Sequence, residues 1–99
     1  MILRVEFLSG ADVELQAAFN HFENYRNGFG LEFLTVVEAC LARIAGHPDI
    51  APLYLDDVHR QVMQRFPYGI YVPYPTRVVV IAILDLRQDQ ERIFRRLRA

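Results

Sequence analysis

The chain's fixed cations are eleven arginines; it has no lysine. A guanidinium offers a rigid fork of donors that matches a carboxylate or a phosphate, so the arginines are the first residues to ask about chemistry. Arg60, Arg65 and Arg87 fall in or beside strand-like segments. They are expected to meet on the edge or open face of one sheet, as an interface or as a solvated surface. Arg92, Arg95, Arg96 and Arg98 crowd the last eight residues, a basic end suited to an acidic protein segment or to plain solvation. His59 next to Arg60 pairs a base with a phosphate-binding group. Neighbouring strand residues point to opposite faces, however, so the two would not share a site. His21, His47 and His59 are scattered and Cys40 sits on an apolar helical stripe, so no metal site is expected, and no cofactor. Cys40 reads as a core thiol.

These residues must be positioned by elements that the hydrophobic pattern marks. "ILRVEFL" alternates as a first strand, with Leu3, Val5 and Phe7 on one face, and Ser9 stands where a helix N-cap would. From Gly10 to Arg26 an apolar stripe of Leu15, Ala18, Phe19, Phe22 and Tyr25 predicts a helix. "NGFG" breaks it. A second helix from Phe29 to Ala45 carries Phe33, Val36, Val37, Cys40, Leu41 and Ile44, so the two should form an antiparallel hairpin. After a loop, "HPDIAPLYLDD", that holds a turn or short strand, three strands follow: Val58 to Arg65, Tyr68 to Tyr74 and Arg77 to Leu86. Pro75-Thr76 would turn the last two into a hairpin. "RQDQERIFRRLRA" makes at most a short amphipathic helix. The order is β-α-α-β-β-β with a basic tail, an α+β fold with the helices on one face of a mainly antiparallel sheet.

The third of these segments, "RFPYGIYVPY", divides by alternation. Phe66, Tyr68, Ile70, Val72 and Tyr74 form a core face; Pro67, Gly69, Tyr71 and Pro73 take the other. The prolines cannot donate ladder bonds and should bound the paired region. Tyr71 is either an exposed functional ring or a cover for the far side of the sheet.

Composition narrows the function classes. Ninety-nine residues make one domain, residues 1–99, and 53% hydrophobic content makes it a folded one. A net charge of −1 excludes a protein whose whole surface grips nucleic acid. With one cysteine there is no internal disulfide; with charges inside the first apolar stretch there is no visible signal peptide. No membrane partner is expected, and the cytoplasm is the expected compartment.

Three stretches, "AFNHFENYRNGFGLEFLTVVEACLARIAGHPDIAP", "HRQVMQRFPYGIYVPY" and "VVVIAILDLRQD", together resemble the RelE/ParE superfamily of bacterial type II toxins. "GLEFL" and "RFPYGIY" are the specific parts. The resemblance implies a toxin, of a kind also described as plasmid-stabilising, that is neutralised by a cognate antitoxin protein. One branch of that superfamily cuts mRNA on the ribosome, and the ParE-like branch poisons DNA gyrase. The ribonuclease branch places an arginine after the tyrosine of the third strand, where this chain has Gly69. It often uses lysines, absent here, and a tyrosine or histidine after the last strand, where this chain has Ile93 and Phe94. Of that set Arg87 remains. The ParE-like pattern H-x-R-R-D is met in "DLRQD" by Arg87 and Asp89 and not at Asp85 or Gln88.

The leading expectation is therefore a ParE-like, non-enzymatic inhibitor of DNA gyrase. Its target- or antitoxin-binding residues would be Arg60, Arg65, Tyr71, Arg87, Arg92, Arg95 and Arg96. The runner-up is a ribosome-dependent mRNA endoribonuclease using Arg65, Tyr71 and Arg87 as its catalytic set. A third expectation is a remnant that only binds antitoxin.

Overall fold

A computed structural model of the chain describes residues 5–47, 50–73 and 79–99. Ile2, Leu3 and Arg4 of the first strand, Pro48, Tyr74, the Pro75-Thr76 turn and the Arg77-Val78 start of the last strand lie outside the described residues. The elements are β1 (Glu6–Phe7), α1 (Ser9–Tyr25), α2 (Phe29–Gly46), β2 (Leu53–Leu55), β3 (Val58–Val62), β4 (Tyr68–Val72), β5 (Val79–Val80), β6 (Ala82–Asp85) and α3 (Gln90–Arg98). The architecture is α+β. β2, β3, β4 and β6 form an antiparallel sheet in that order, and β1 pairs in parallel with β5.

The helical hairpin is set by its turn. Gly28 takes a left-handed φ of 86° at the N-cap of α2, a conformation that suits glycine. Gly30 is needed for space: a Cβ there would lie 2.8 Å from the Phe19 ring and 2.9 Å from the Phe19 carbonyl. No side chain of the turn itself caps α2. Glu23 of α1 does so instead, accepting from the Gly28 and Gly30 N–H groups at 3.0 Å each. Its negative charge sits at the positive end of the helix dipole. Ser9 is not the N-cap of α1: the helix begins at Ser9 and Leu8 caps it without a side-chain bond. Tyr25, placed on the buried stripe by spacing, is 75% exposed, because α1 ends there and the chain turns away.

The main core lies between the hairpin and one face of the sheet. Phe22, Phe33, Phe66 and Tyr68 meet edge-on or tilted with ring centroids 4.9–5.8 Å apart. Phe66, Ile70 and Val72 face it as the alternation requires, and Pro67 and Pro73 flank β4 on either side.

Of the turn or short strand expected in "HPDIAPLYLDD", the structure has the short strand, β2. Two expectations are corrected. The strand from Val58 ends at Val62, since the chain turns through Arg65, which has φ 70°. The last strand is broken at Ile81: Ala82 pairs with Tyr71 while the Ile81 N–H also donates to the Tyr71 carbonyl, so two residues oppose one. This β-bulge sends Ile81 and Ala82 to the same side of the sheet, as the grouping of their side chains records.

A further difference changes the layering. The basic tail is a nine-residue helix, α3, and it packs on the sheet face opposite the hairpin. Ile93 and Leu97 cover Tyr71, Ala82 and Leu84 there. The sheet is thus covered on both faces instead of one.

The hairpin packing makes a prediction. Gly30→Ala should destabilise the protein by about 1–3 kcal/mol in urea unfolding, because the methyl meets backbone as well as ring. Gly46→Ala, with open space around it, should stay within about 1 kcal/mol of the parent. Equal effects at the two positions would refute the close-contact account.

Candidate functional site

The site is built where β1 runs directly into α1. Leu8 donates to the Val80 carbonyl and Ser9 begins the helix, so the last strand loses its β1 neighbour just as it passes Val80. Its exposed edge is closed by side chains. Glu14 Oε1 accepts from the Ile83 N–H at 3.2 Å. Arg96 Nη2 donates to the Ile81 carbonyl at 2.9 Å and to Glu14 Oε1 at 3.0 Å, and Arg96 Nε donates to Glu14 Oε2 at 2.7 Å. One carboxylate and one guanidinium therefore replace a neighbouring strand and fasten α1, β6 and α3 together. Gly10 leaves room for the guanidinium: a Cβ there would stand 2.7 Å from Arg96 Nη2.

Beside this clasp a cleft of about 560 Å³ opens between α1 and α3 along β6. Ala17, Ala18, Ile83 and Leu84 form its apolar surface. His21, Tyr68, Asp85, Arg87 and Arg92 bring polar groups to it, with Glu14 and Arg96 at one side. Arg87 grips Asp85 through two parallel bonds, Nε to Oδ1 at 3.0 Å and Nη2 to Oδ2 at 2.8 Å. That fork holds the Asp85 carboxyl below its ordinary range and raises the Arg87 guanidinium's pKa further. Burial, then the nearby Asp85 charge, pushes the Tyr68 phenol up.

The predicted residues are dispersed. Arg65 is bonded to Glu32 of α2 at 2.9 Å, and Glu32 also takes Arg26 at 2.9 Å. Hydrogen bonds from Arg65 and then Arg26 lower the Glu32 pKa. Arg60 lies 4.0 Å over the Tyr54 ring, on the α3 side of the sheet. Its stem fills the space that Gly69 leaves: a Cβ on Gly69 would stand 3.2 Å from Arg60 and 3.0 Å from Leu86.

Tyr71 is fully buried beneath α3, T-shaped to Tyr54 at 5.7 Å. Its hydroxyl has no well-formed hydrogen bond. Burial raises its pKa, and the neighbouring Arg60 only partly opposes that. Tyr71 is a core residue, and its assignment as a catalytic or partner-facing ring is corrected. The set Arg65, Tyr71 and Arg87 is not assembled, and Arg60, Arg65 and Arg87 do not converge.

Of the tail arginines, Arg96 is committed to the clasp. Arg95 reaches back to the Glu91 carbonyl at 3.4 Å, and Arg98 pairs with Asp56 at 3.2 Å. The cleft gathers Arg87, Arg92 and Arg96 from the predicted set. It adds Glu14, His21, Tyr68 and Asp85, which sequence reasoning missed. Glu14 and Arg96 stand 82 positions apart with no local signal joining them. His21 was legible only as a polar residue off the apolar stripe.

Among the described residues no His, Cys, Asp and Glu cluster is placed to hold a metal ion, and no helix is long and apolar enough to cross a membrane. Cys40 is buried in the hairpin core, which raises its thiol pKa. Compared with protein-family models and with curated proteins, the chain matches none.

Two predictions follow from the ion pairs. Glu14→Ala strands Arg96 and the Ile83 N–H, and should cost about 2–3 kcal/mol, a figure reduced from that of a fully buried pair because both side chains are partly exposed. Combining it with Arg96→Ala should add much less than the sum of the two single changes. Additive losses would show the clasp to be inert.

The second prediction concerns pH. Asp85 and Glu32 titrate below their ordinary values of 3.8 and 4.5 when folded. Their stabilisation is present above those values and is lost as pH falls through the lower folded values. The urea midpoint should therefore fall between pH 6 and pH 3, and fall less in Asp85→Asn with Glu32→Gln. An equal fall in both proteins contradicts this.

Proposed function

We propose that this chain is a RelE/ParE-like toxin, closer to the ParE-like branch, that acts by binding protein and is held inactive by a cognate antitoxin. The observation that carries the reading is the state of its arginines. Cleaving RNA by 2′-OH attack needs free cations, a base and an acid gathered round one phosphate. Here Arg26 and Arg65 share Glu32, Arg87 is forked to Asp85, Arg96 to Glu14, and Arg98 meets Asp56. The arginine expected of a ribonuclease after Tyr68 is Gly69, where the Arg60 stem occupies the adjacent space. The element order, a hairpin of two helices followed by antiparallel strands, supports the same superfamily. Exposed Val13, Tyr25 and Leu31 on the hairpin give a protein partner apolar anchors.

DNA gyrase is the proposed target. Purified protein should inhibit gyrase supercoiling and provoke gyrase-dependent DNA breaks, while translated mRNA stays uncut in primer extension. Untouched supercoiling would overturn the target, and ribosome-dependent cleavage would overturn the whole binding mode. Growth that continues on induced expression without antitoxin would leave an antitoxin-binding remnant instead.

A further inference from the structure

The cleft beside the clasp has a charge pattern that the proposed toxin function does not use. Three arginines, Arg87, Arg92 and Arg96, line it together with two acidic residues, Glu14 and Asp85. Each carboxylate is closed by a two-bond guanidinium fork, so neither is open to a cation. One positive charge remains, and it is carried by Arg92, which has no carboxylate partner among the described residues. Tyr68 and His21 add polar groups to the same wall, and Arg87 keeps its Nη1 free of Asp85. Gln88 lines it as well; the rest of the lining is apolar, and small on the α1 side, where Ala17 and Ala18 leave the room. The cleft is open to solvent, and its volume of about 560 Å³ has room for a small ligand.

From this arrangement we propose that the cleft binds a small organic carboxylate, its head on the Arg92 guanidinium with Arg87 and Tyr68 beside it and its apolar body against Ala17, Ala18 and Leu84. A planar carboxylate matches the guanidinium fork. A single negative charge matches the single surplus positive one. The second charge of a phosphate monoester would lie against Asp85 and Glu14, so phosphate is the poorer ligand. The site is independent of the toxin reading: gyrase inhibition and carboxylate binding can each fail without the other.

The test is a titration of the full chain with sodium benzoate, followed by amide NMR at constant ionic strength with sodium chloride as the replacement salt. Saturable shifts are expected at His21, Tyr68 and Arg92, with a dissociation constant of about 1 mM or below. Arg92→Gln should weaken binding about tenfold or more, the loss of one charge-assisted fork. Ala17→Leu, a good helix former that fills the cleft, should abolish it with the fold intact. Arg95→Gln, on the same helix and outside the cleft, should leave it unchanged. Shifts that do not saturate, that keep the parent's dissociation constant in Arg92→Gln, or that are weakened as much by Arg95→Gln as by Arg92→Gln overturn the proposal. Inorganic phosphate binding as tightly as benzoate would overturn the choice of a carboxylate.

Discussion

The last strand is the constraint on which the rest of the structure depends. It must pair with β4 along one side and with β1 along the other, but β1 becomes α1 at Ser9. A part-buried edge without a neighbour leaves backbone donors and acceptors without partners, which is costly for a small core. Glu14 and Arg96 supply the missing acceptor and donor. Because one comes from α1 and the other from α3, closing the edge also decides where both helices sit. The bulge at Ile81 belongs to the same solution, since it resets the strand between its β1-paired and β4-paired parts.

This explains which features were legible in the sequence. Periodicity is a local signal, so the hairpin, β4 and the core faces of Phe22, Phe33, Ile70 and Val72 could be read directly. Pro67 and Pro73 mark the limits of β4 because a missing N–H has the same consequence in any fold. The clasp was not legible, because nothing near Glu14 or Arg96 names the other. Reading α3 as a basic end for an acidic protein segment or for solvent followed from its four arginines; what the pattern hid was that Ile93 and Leu97 had a sheet face waiting for them. The bulge was equally silent, since "VVVIAIL" is apolar in either phase.

The same clasp revises the meaning of the charge. Eleven arginines beside twelve acidic residues look like a stock of binding groups. In the fold most of the described ones are internal ties: Arg65 to the hairpin, Arg87 to its own strand end, Arg96 across the domain. Tyr71, the one ring that alternation left undecided, became the centre of a second small core under α3. Among the described residues, the apolar outside of the hairpin and the cleft at Arg92 stay open to partners. A surface of that kind suits recognition better than phosphoryl chemistry.

Hydrogen exchange at the Ile83 amide tests the central claim most directly. Among the described residues Ile83 has no strand beside its outer edge, yet its N–H donates to Glu14. The account predicts that this amide is protected in the intact protein to a degree close to Ile70, and that Arg96→Ala or Glu14→Ala releases it while Ile70 stays protected. An Ile83 amide that exchanges freely in the intact protein, or that keeps its protection without Glu14, would contradict it.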